Sequence, residues 1–213
     1  MKVFKDPRMS IDCTPIIYGS TKVFSHYKKL LDENDFTYQS CKSASEAHSK
    51  KVNVVNAWQD DIAIEEGKMT EEGGKAAFAA LELATQELAS GKIDVLVTAP
   101  ISKEAIVKAG FKFPGHTEYL ADLSGEKDAL MIMVSSALKV ALVTSHIPLK
   151  DVSTALTREK IVDKIKAFDQ SLRKDFGVIR PKIAVFGVNP HAGENGKMGA
   201  EEQEIITPAI NAA

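Results

Sequence analysis

Short apolar runs alternate with longer amphipathic stretches along the whole chain. Seven short runs, most of them rich in Val and Ile, predict β-strands, at 14–19, 36–41, 52–56, 94–99, 130–135, 140–145 and 182–188. Several of them, such as Val95-Leu96-Val97, are apolar without alternation, which is typical of strands covered on both faces. The pattern therefore predicts parallel strands packed between helices.

Two of the intervening helices have clear start and stop signals. Thr70 is suited to cap a helix that Gly91 ends, and Thr157 is suited to cap another that Gly177 ends. The apolar stripes expected on them are Ala77, Leu81, Ala84 and Leu88 in the first helix, and Ile161, Ile165, Phe168 and Leu172 in the second. Strand, helix and strand joined by crossovers of this length form right-handed βαβ units. The expected fold is α/β with a largely parallel sheet.

Three stretches do not fit a regular, complete domain. The segment 43–69 is the least regular, and we expect a lobe boundary or an excursion from the main sheet within it. The chain opens with Val3-Phe4-Lys5-Asp6-Pro7, which resembles the end of a helix already under way. The segment 201–213 resembles a helix with no Gly or Pro to stop it. Both ends suggest an incomplete domain.

Charge and composition narrow the class of partner. The 213 residues are 44% hydrophobic and 26% charged, with 27 Lys and Arg against 29 Asp and Glu. No basic stripe interleaved with aromatic residues is present, so nucleic acid is not an expected partner. No apolar run approaches the roughly 20 residues of a membrane span, and no secretory signal opens the chain. Cys13 and Cys41 are too few for a disulfide framework, so a cytoplasmic protein without a membrane partner is expected.

Three of the five histidines adjoin predicted loops where ligands bind. His146 follows the run 140–145, His191 follows the run 182–188, and His116 lies in a Pro-Gly-His-Thr-Glu turn. In open parallel sheets, ligands bind beyond the carboxyl ends of the strands. Imidazoles from separate loops suit Zn²⁺ and related divalent ions. A lone histidine at such a place more often binds loop backbone, and the spacing leaves both interpretations open.

Two further segments have the composition of anion-binding loops. The glycine-rich stretch 193–199 precedes a predicted helix, but it matches neither GxGxxG nor the P-loop, and a plain turn is the alternative. Ser102 and Lys103 follow the predicted strand 94–99, where they could meet a phosphate or carboxylate or simply begin a helix. Neither pattern decides between its two interpretations.

Four short segments, taken together, carry a resemblance to a known family. They are TAPISK at 98–103, FPGHTE at 113–118, TSHIPL at 144–149 and NPHAGE at 189–194. In composition, order and interval they resemble the signature stretches of the 4-hydroxythreonine-4-phosphate dehydrogenase family, whose members act in pyridoxal phosphate synthesis. The similarity runs through nearly all of residues 1–213.

The resemblance implies a fold, a site and a reaction. The implied fold is a three-layer α/β/α architecture of the isocitrate and isopropylmalate dehydrogenase type, with the active site at the interface of a homodimer. His146 and His191 match ligands of a divalent metal, for which Zn²⁺ is favoured and Mg²⁺ or Co²⁺ are alternatives, whereas His116 and Thr117 match substrate contacts. The implied reaction is oxidation of 4-hydroxy-L-threonine 4-phosphate by NAD or NADP to a β-keto acid, which decarboxylates to 3-amino-2-oxopropyl phosphate.

The chain also departs from the family pattern at both ends. Family members open with a strand and a Gly-Asp-Pro-like loop, and they continue with a segment that holds a third metal histidine and much of the NAD site. This chain resembles the middle portion. Two alternatives therefore stay open: a dehydrogenase of a related four-carbon hydroxy-acid phosphate, such as threonate or erythronate 4-phosphate, and an inactive, truncated α/β dimerisation module.

Overall fold

The computed structural model of the protein describes residues 1–125 and 129–213. The chain forms two compact units, 1–127 and 128–213. The segment 43–69, where the sequence suggested a lobe boundary, lies inside the first unit, and that suggested boundary stays a prediction. No helix in the described part of the chain is both long enough and apolar enough to cross a membrane.

A three-stranded parallel sheet forms the centre of the first unit. Its strands are β1 (Ile16–Gly19), β2 (Gln39–Cys41) and β3 (Asn53–Asn56), in the order β1-β3-β2. Ile17 of β1 and Ser40 of β2 both align with Val54 of β3. Val54 is 0% exposed, as expected for a central strand covered on both faces. The strands predicted at 14–19, 36–41 and 52–56 are confirmed.

The helices of the first unit pack on this sheet or on one another. They are α1 (Met9–Asp12), α2 (Thr21–Leu30), α3 (Glu71–Ala89), α4 (Lys103–Lys108) and α5 (His116–Ser124), with short 3-10 turns at Val3–Lys5 and Ala44–Glu46. The hydroxyl of Thr70 accepts a hydrogen bond from the N–H of Gly73 at 3.1 Å, which confirms the predicted cap of α3. Gly91, at φ +71°, follows the end of that helix as predicted.

The main hydrophobic cluster of the first unit joins α3, α4 and α5. Leu81, Ile106, Phe111 and Tyr119 are buried in it, and the ring centroids of Phe111 and Tyr119 lie 5.3 Å apart. Gly74 of α3 faces α4 so closely that a Cβ there would collide with the carbonyl of Ala105. The absence of a side chain at position 74 is what lets the two helices approach.

A buried carboxylate near the end of α3 ties the helix to the sheet. Glu87 is 4% exposed. Its donors are the Tyr18 hydroxyl at 2.7 Å, the Ser43 hydroxyl at 2.5 Å, the Ala44 N–H at 2.9 Å and the Lys92 ammonium at 3.2 Å. Burial alone would raise the pKa of this carboxyl, but the hydrogen bonds outweigh burial and hold the pKa at about 2. Burial, followed by the bond to Glu87, raises the pKa of Tyr18.

The second unit combines a short hairpin with helices. Its elements are β4 (Ile132–Val134), β5 (Lys139–Ala141), α6 (Val152–Ala155), α7 (Arg158–Lys174) and α8 (Thr207–Ala212), with 3-10 turns at Leu149–Asp151 and Pro190–Asn195 and a π-helical turn at Glu202–Ile206. The hydroxyl of Thr157 accepts a hydrogen bond from the N–H of Lys160 at 3.2 Å, which confirms the predicted cap of α7.

The core of the second unit is a hydrophobic cluster built on α7 and the C-terminal helical turns. Its buried residues are Leu156, Ile161, Ile206 and Ala209. Val143, Val162, Ile165, Val185 and Ile205 pack against them. The segments that contain Val143 and Val185 therefore share one core.

The pairing of β4 with β5 corrects the sequence analysis, which expected parallel strands. The two strands are antiparallel, with Met133 opposite Val140. Only residues 135–138 connect them, and Ser135 and Leu138 close the turn with an N–H···O bond of 2.8 Å. A parallel connection needs a crossover of about a dozen residues or more, so a hairpin is the pairing that this connection permits.

The strands predicted at 94–99 and 182–188 are also wrong. Neither segment belongs to a strand, and no described segment pairs with them in a sheet. Val97 is 87% exposed and Phe186 is 86% exposed. An apolar run becomes a strand only when a neighbouring strand supplies ladder partners, and the described part of each unit supplies none here.

Replacing Gly74 by Ala tests the close contact between α3 and α4. The added methyl group would meet the backbone of Ala105, so we expect the G74A variant to lose about 1–3 kcal/mol of unfolding free energy, as overpacked cores do. Urea denaturation followed by circular dichroism measures the loss. The matched control is Gly19→Ala, where no atom lies within 4 Å of an added Cβ. Equal stability of the two variants would contradict this account of the helix packing.

The Glu87 network predicts a pH dependence of stability. Its pKa of about 2 in the folded protein is below the ordinary value of 4.5. The stabilisation is therefore complete above about pH 4.5 and is lost as the pH falls toward 2. Glu87→Gln should lower the unfolding free energy at pH 6 by about 3 kcal/mol, and the difference from the natural chain should shrink in acid. Urea midpoints between about pH 6 and 3 measure this, with the exposed Glu82→Gln as the control that should change little.

Candidate functional site

His116 and Thr117 form the first turn of α5, in the first unit. Gly115 precedes them as the N-cap, and the N–H of Tyr119 donates to the carbonyl of Gly115 at 3.3 Å. Tyr119 is buried in the aromatic cluster, so the start of the helix is anchored one turn from His116. His116 is half-buried and Thr117 is exposed. An anion is favoured at such a helix start by the helix dipole and the first-turn N–H groups.

Ser102 begins α4, as one of its two sequence interpretations expected. Its hydroxyl accepts a hydrogen bond from the N–H of Ala105 at 3.3 Å. Lys103 is exposed beside it. The helix-start interpretation is therefore supported, and contact of these residues with a phosphate or carboxylate stays a prediction.

His146 lies in the second unit with a left-handed backbone. Its φ is +56° and its side chain is exposed. Three residues earlier, Val143 packs against the core cluster of this unit. Left-handed conformations are uncommon outside glycine, although histidine adopts them more readily than most residues. The chain thus leaves the core at Val143 and presents the imidazole of His146 at the surface.

His191 lies in the same unit, in a turn that is left-handed over several residues. His191, Ala192, Gly193 and Glu194 have φ values of +50°, +52°, +76° and +43°. This conformation costs L-amino acids roughly 1–2 kcal/mol per residue, so it persists only where the surroundings hold it. His191 is exposed, and Val185, which precedes it, packs against the same cluster as Val143.

A buried carboxylate holds the segment that leads into this turn. Glu202 is 5% exposed. One of its oxygens accepts from the N–H groups of Val188 and Asn189, both at 2.8 Å, and the other accepts from the Asn189 amide at 2.9 Å. The Asn189 amide also donates to Glu201 at 2.8 Å. The hydrogen bonds from Asn189 hold the pKa of the Glu202 carboxyl below its ordinary range.

Glycines let the turn close tightly on itself. The N–H groups of Gly196 and Met198 donate to the carbonyl of Gly193 at 2.9 Å and 3.0 Å. A Cβ on Gly193 would lie 2.5 Å from the carbonyl oxygen of Gly199 and 3.0 Å from Glu202. The glycine-rich stretch 193–199 is therefore a tight turn with several left-handed residues, and its capacity to bind an anion stays a prediction.

The four site residues of the sequence analysis fall into two pairs. His116 and Thr117 are adjacent in the first unit, and His146 and His191 are exposed in the second, after segments that share one core. Two imidazoles are suitable donors for a divalent metal, but they make an incomplete set. Within residues 1–125 and 129–213, no three or more His, Cys, Asp or Glu side chains are grouped so that they could hold a metal. The metal assignment of His146 and His191 stays a prediction.

Sequence reasoning did not find the Glu202 and Asn189 network. Glu202 looks like a surface residue of a terminal helix, because acidic pairs in helices are usually solvated. The signal available was the glycine-rich stretch itself. A turn with glycines at 193, 196 and 199 needs a partner to hold it, and Glu202 comes three residues after the last of them.

Comparison with known proteins agrees with the motifs. The family model for the pyridoxal phosphate biosynthetic protein PdxA matches residues 11–213. The chain is 46% identical over 211 residues to the 4-hydroxythreonine-4-phosphate dehydrogenase of Bacteroides thetaiotaomicron. It is 38% identical over 202 residues to a Cutibacterium acnes protein provisionally named D-threonate 4-phosphate dehydrogenase.

The crystal structure of the Klebsiella pneumoniae 4-hydroxythreonine-4-phosphate dehydrogenase is similar in fold. It superposes with a TM-score of 0.83 at 33% identity, covering 92% of this chain and 60% of that one. The expected α/β class is thereby confirmed.

The shared lengths are unequal. The Bacteroides alignment covers 99% of this chain but 58% of the relative, and the Cutibacterium alignment covers 93% of this chain and 58% of the relative. The chain therefore spans somewhat more than half the length of the relatives that it matches. On the family model and on the identity to its relatives, the chain belongs to the pyridoxal phosphate biosynthetic protein PdxA family.

Proposed function

We propose that this chain carries part of the active site of an NAD-dependent, metal-dependent dehydrogenase that oxidises 4-hydroxy-L-threonine 4-phosphate. The observation that supports this most directly is the identity of 46%, across 99% of the chain, to the Bacteroides enzyme of that name. The four motif segments at 98–103, 113–118, 144–149 and 189–194 lie within that alignment. The activity belongs, in this proposal, to a cytoplasmic homodimer whose active site lies at the subunit interface.

His146 and His191 would hold the divalent metal, with Zn²⁺ favoured over Mg²⁺ or Co²⁺. Their exposure and left-handed backbones support this role, because strained residues that the surroundings hold in place cluster at functional sites. Once bound, such an ion would act as a Lewis acid that stabilises the ionised form of the substrate hydroxyl. Imidazole nitrogen is a common ligand of divalent ions of this kind.

His116 and Thr117 would bind the substrate from the first turn of α5. The helix dipole and the first-turn N–H groups favour the negative charge of a phosphate or carboxylate there. The Thr117 hydroxyl and the His116 imidazole can each act as a hydrogen-bond donor. The buried Tyr119 keeps this turn in place, so the contacts would orient the substrate without a large ordering cost.

The chemistry that the proposal requires is a hydride transfer followed by loss of carbon dioxide. The substrate hydroxyl group loses its proton, and the carbon that carries this hydroxyl group transfers a hydride to NAD⁺ or NADP⁺. The resulting β-keto acid loses CO₂ to give 3-amino-2-oxopropyl phosphate. We assign no residue of this chain to the nicotinamide cofactor.

A second candidate substrate is a four-carbon sugar-acid phosphate such as threonate or erythronate 4-phosphate. The Cutibacterium relative, named for D-threonate 4-phosphate and 38% identical, favours it. Both substrates place a hydroxyl and a phosphate at similar positions. The groups of this chain proposed to bind them are the same for both, so only a direct comparison of substrates separates the two activities.

Metal binding tests the role of the two histidines. We expect the purified chain to bind Zn²⁺ weakly in a calorimetric titration, since two imidazoles leave coordination positions to water. Replacing His146 or His191 by Ala should lower the Zn²⁺ affinity by at least roughly 10- to 100-fold, because loss of a residue that only orients a metal ligand already has an effect of that size. His48→Ala, at an exposed histidine of the first unit, is the matched control. Tight one-to-one binding by the natural chain would contradict the incomplete donor set.

Enzyme assays test the reaction and the substrate. With a divalent metal and NAD⁺, we expect NADH formation from 4-hydroxythreonine 4-phosphate to exceed that from threonate 4-phosphate. His116→Asn should raise the KM for the phosphorylated substrate by about 10-fold, which corresponds to about 1.4 kcal/mol of lost binding. The reverse order of substrates would favour the second candidate. A folded, metal-supplied chain that forms no NADH from either would support the inactive module.

A further inference from the structure

The Glu202 carboxylate accepts three hydrogen bonds from the two residues that lead into the His191 turn. The carboxylate receives the N–H groups of Val188 and Asn189 and the side-chain amide of Asn189. A buried carboxylate is costly unless it is hydrogen-bonded. The Glu202 carboxylate therefore fixes the position and the direction of Val188 and Asn189.

Little freedom separates this fixed segment from the imidazole. Only Pro190 lies between Asn189 and His191, and the proline ring restricts φ to a narrow range. The direction in which the chain enters His191 is thus set by the backbone of 188–189. Since His191 itself is left-handed at φ +50°, a small shift of that backbone would redirect its side chain.

The backbone of Glu202 is anchored to the core of the second unit. Glu202 opens the π-helical turn Glu202–Ile206, and Ile206 and Ala209 are buried in the core cluster of the second unit. A Cβ on Gly187 would lie 2.9 Å from the Glu202 carboxylate, so the chain packs against this side chain from before the turn as well as from within it. The carboxylate therefore connects the core to both sides of the His191 loop.

We propose that Glu202 is a positioning residue that holds the His191 imidazole in the orientation needed to bind the metal. The inference rests on the proposed metal-dependent function, and it adds to it a residue that would not touch the metal, the substrate or the cofactor. Residues that orient ligands typically change metal affinity by about 10- to 100-fold.

The test compares two substitutions at neighbouring glutamates of the complete chain. Glu202→Gln places an NH₂ group where carboxylate oxygens now accept, whereas Glu204→Gln changes an exposed residue two positions away and serves as the matched control. The histidine ring signals are followed by NMR, assigned with His146→Ala and His191→Ala, and Co²⁺ is titrated with its visible absorption as the readout. Thermal unfolding reports the fold.

In E202Q, we expect the His191 ring signal to move and the His146 signal to stay, with Co²⁺ affinity lowered about 10-fold or more. E204Q should match the natural chain in all three. Asn189→Ala removes only the side-chain donor and should change the same two readouts less. If E202Q does not fold, N189A carries the test in the same form.

Three results would overturn the proposal. One is an E202Q chain with the His191 signal and Co²⁺ affinity of E204Q. Another is equal movement of the His146 and His191 signals, which would mark general loosening of the second unit. The third is an N189A chain that behaves as the natural one when E202Q is unfolded. Failure of the proposed metal function has a different result: Co²⁺ would leave the His146 and His191 ring signals of the natural chain unchanged. The E202Q comparison without metal would still test the position of His191.

Discussion

A buried carboxylate that must be saturated with donors organises each of the two units. Glu87 draws together β1, the turn after β2 and the end of α3, and Glu202 draws the segment before His191 onto the C-terminal helical turns. Removing such a group from water is unfavourable unless N–H and O–H groups replace the water. The chain around each carboxylate is consequently restricted to the few backbone paths that bring these donors into range. Other features near the candidate site, including the tight glycine contacts, follow from that restriction.

The two carboxylates differ in what they hold. Glu87 has an ammonium partner in Lys92 and a phenol partner in Tyr18. Glu202 is bound to backbone and amide N–H groups beside an exposed, left-handed histidine. The first arrangement contributes stability to its unit. The Glu202 arrangement instead fixes the conformation of a surface loop. This is the usual pattern when a loop presents a side chain for binding.

Local signals in the sequence predicted the elements that depend on local interactions. Thr70 and Thr157 cap their helices as expected, and β1, β2 and β3 form within the predicted runs 14–19, 36–41 and 52–56. The runs 94–99 and 182–188 do not become strands, because strand formation depends on a neighbour that a single-chain pattern cannot specify. The hairpin of β4 and β5 was predictable from its four-residue connection, a feature that hydrophobic periodicity does not contain. Strand-end positions and motif order made His116, Thr117, His146 and His191 candidates, which stay predictions. Glu202 was missed because its burial depends on a tertiary contact.

The exposed Val95 and Val97 make the newly synthesised chain prone to association with other polypeptides. An apolar stretch without described ladder partners offers both hydrophobic side chains and backbone groups to any other extended polypeptide. Such stretches are sites where molecular chaperones bind and where crowded chains stick to one another. The yield of folded material from a cell should therefore rise with the speed at which this stretch is covered.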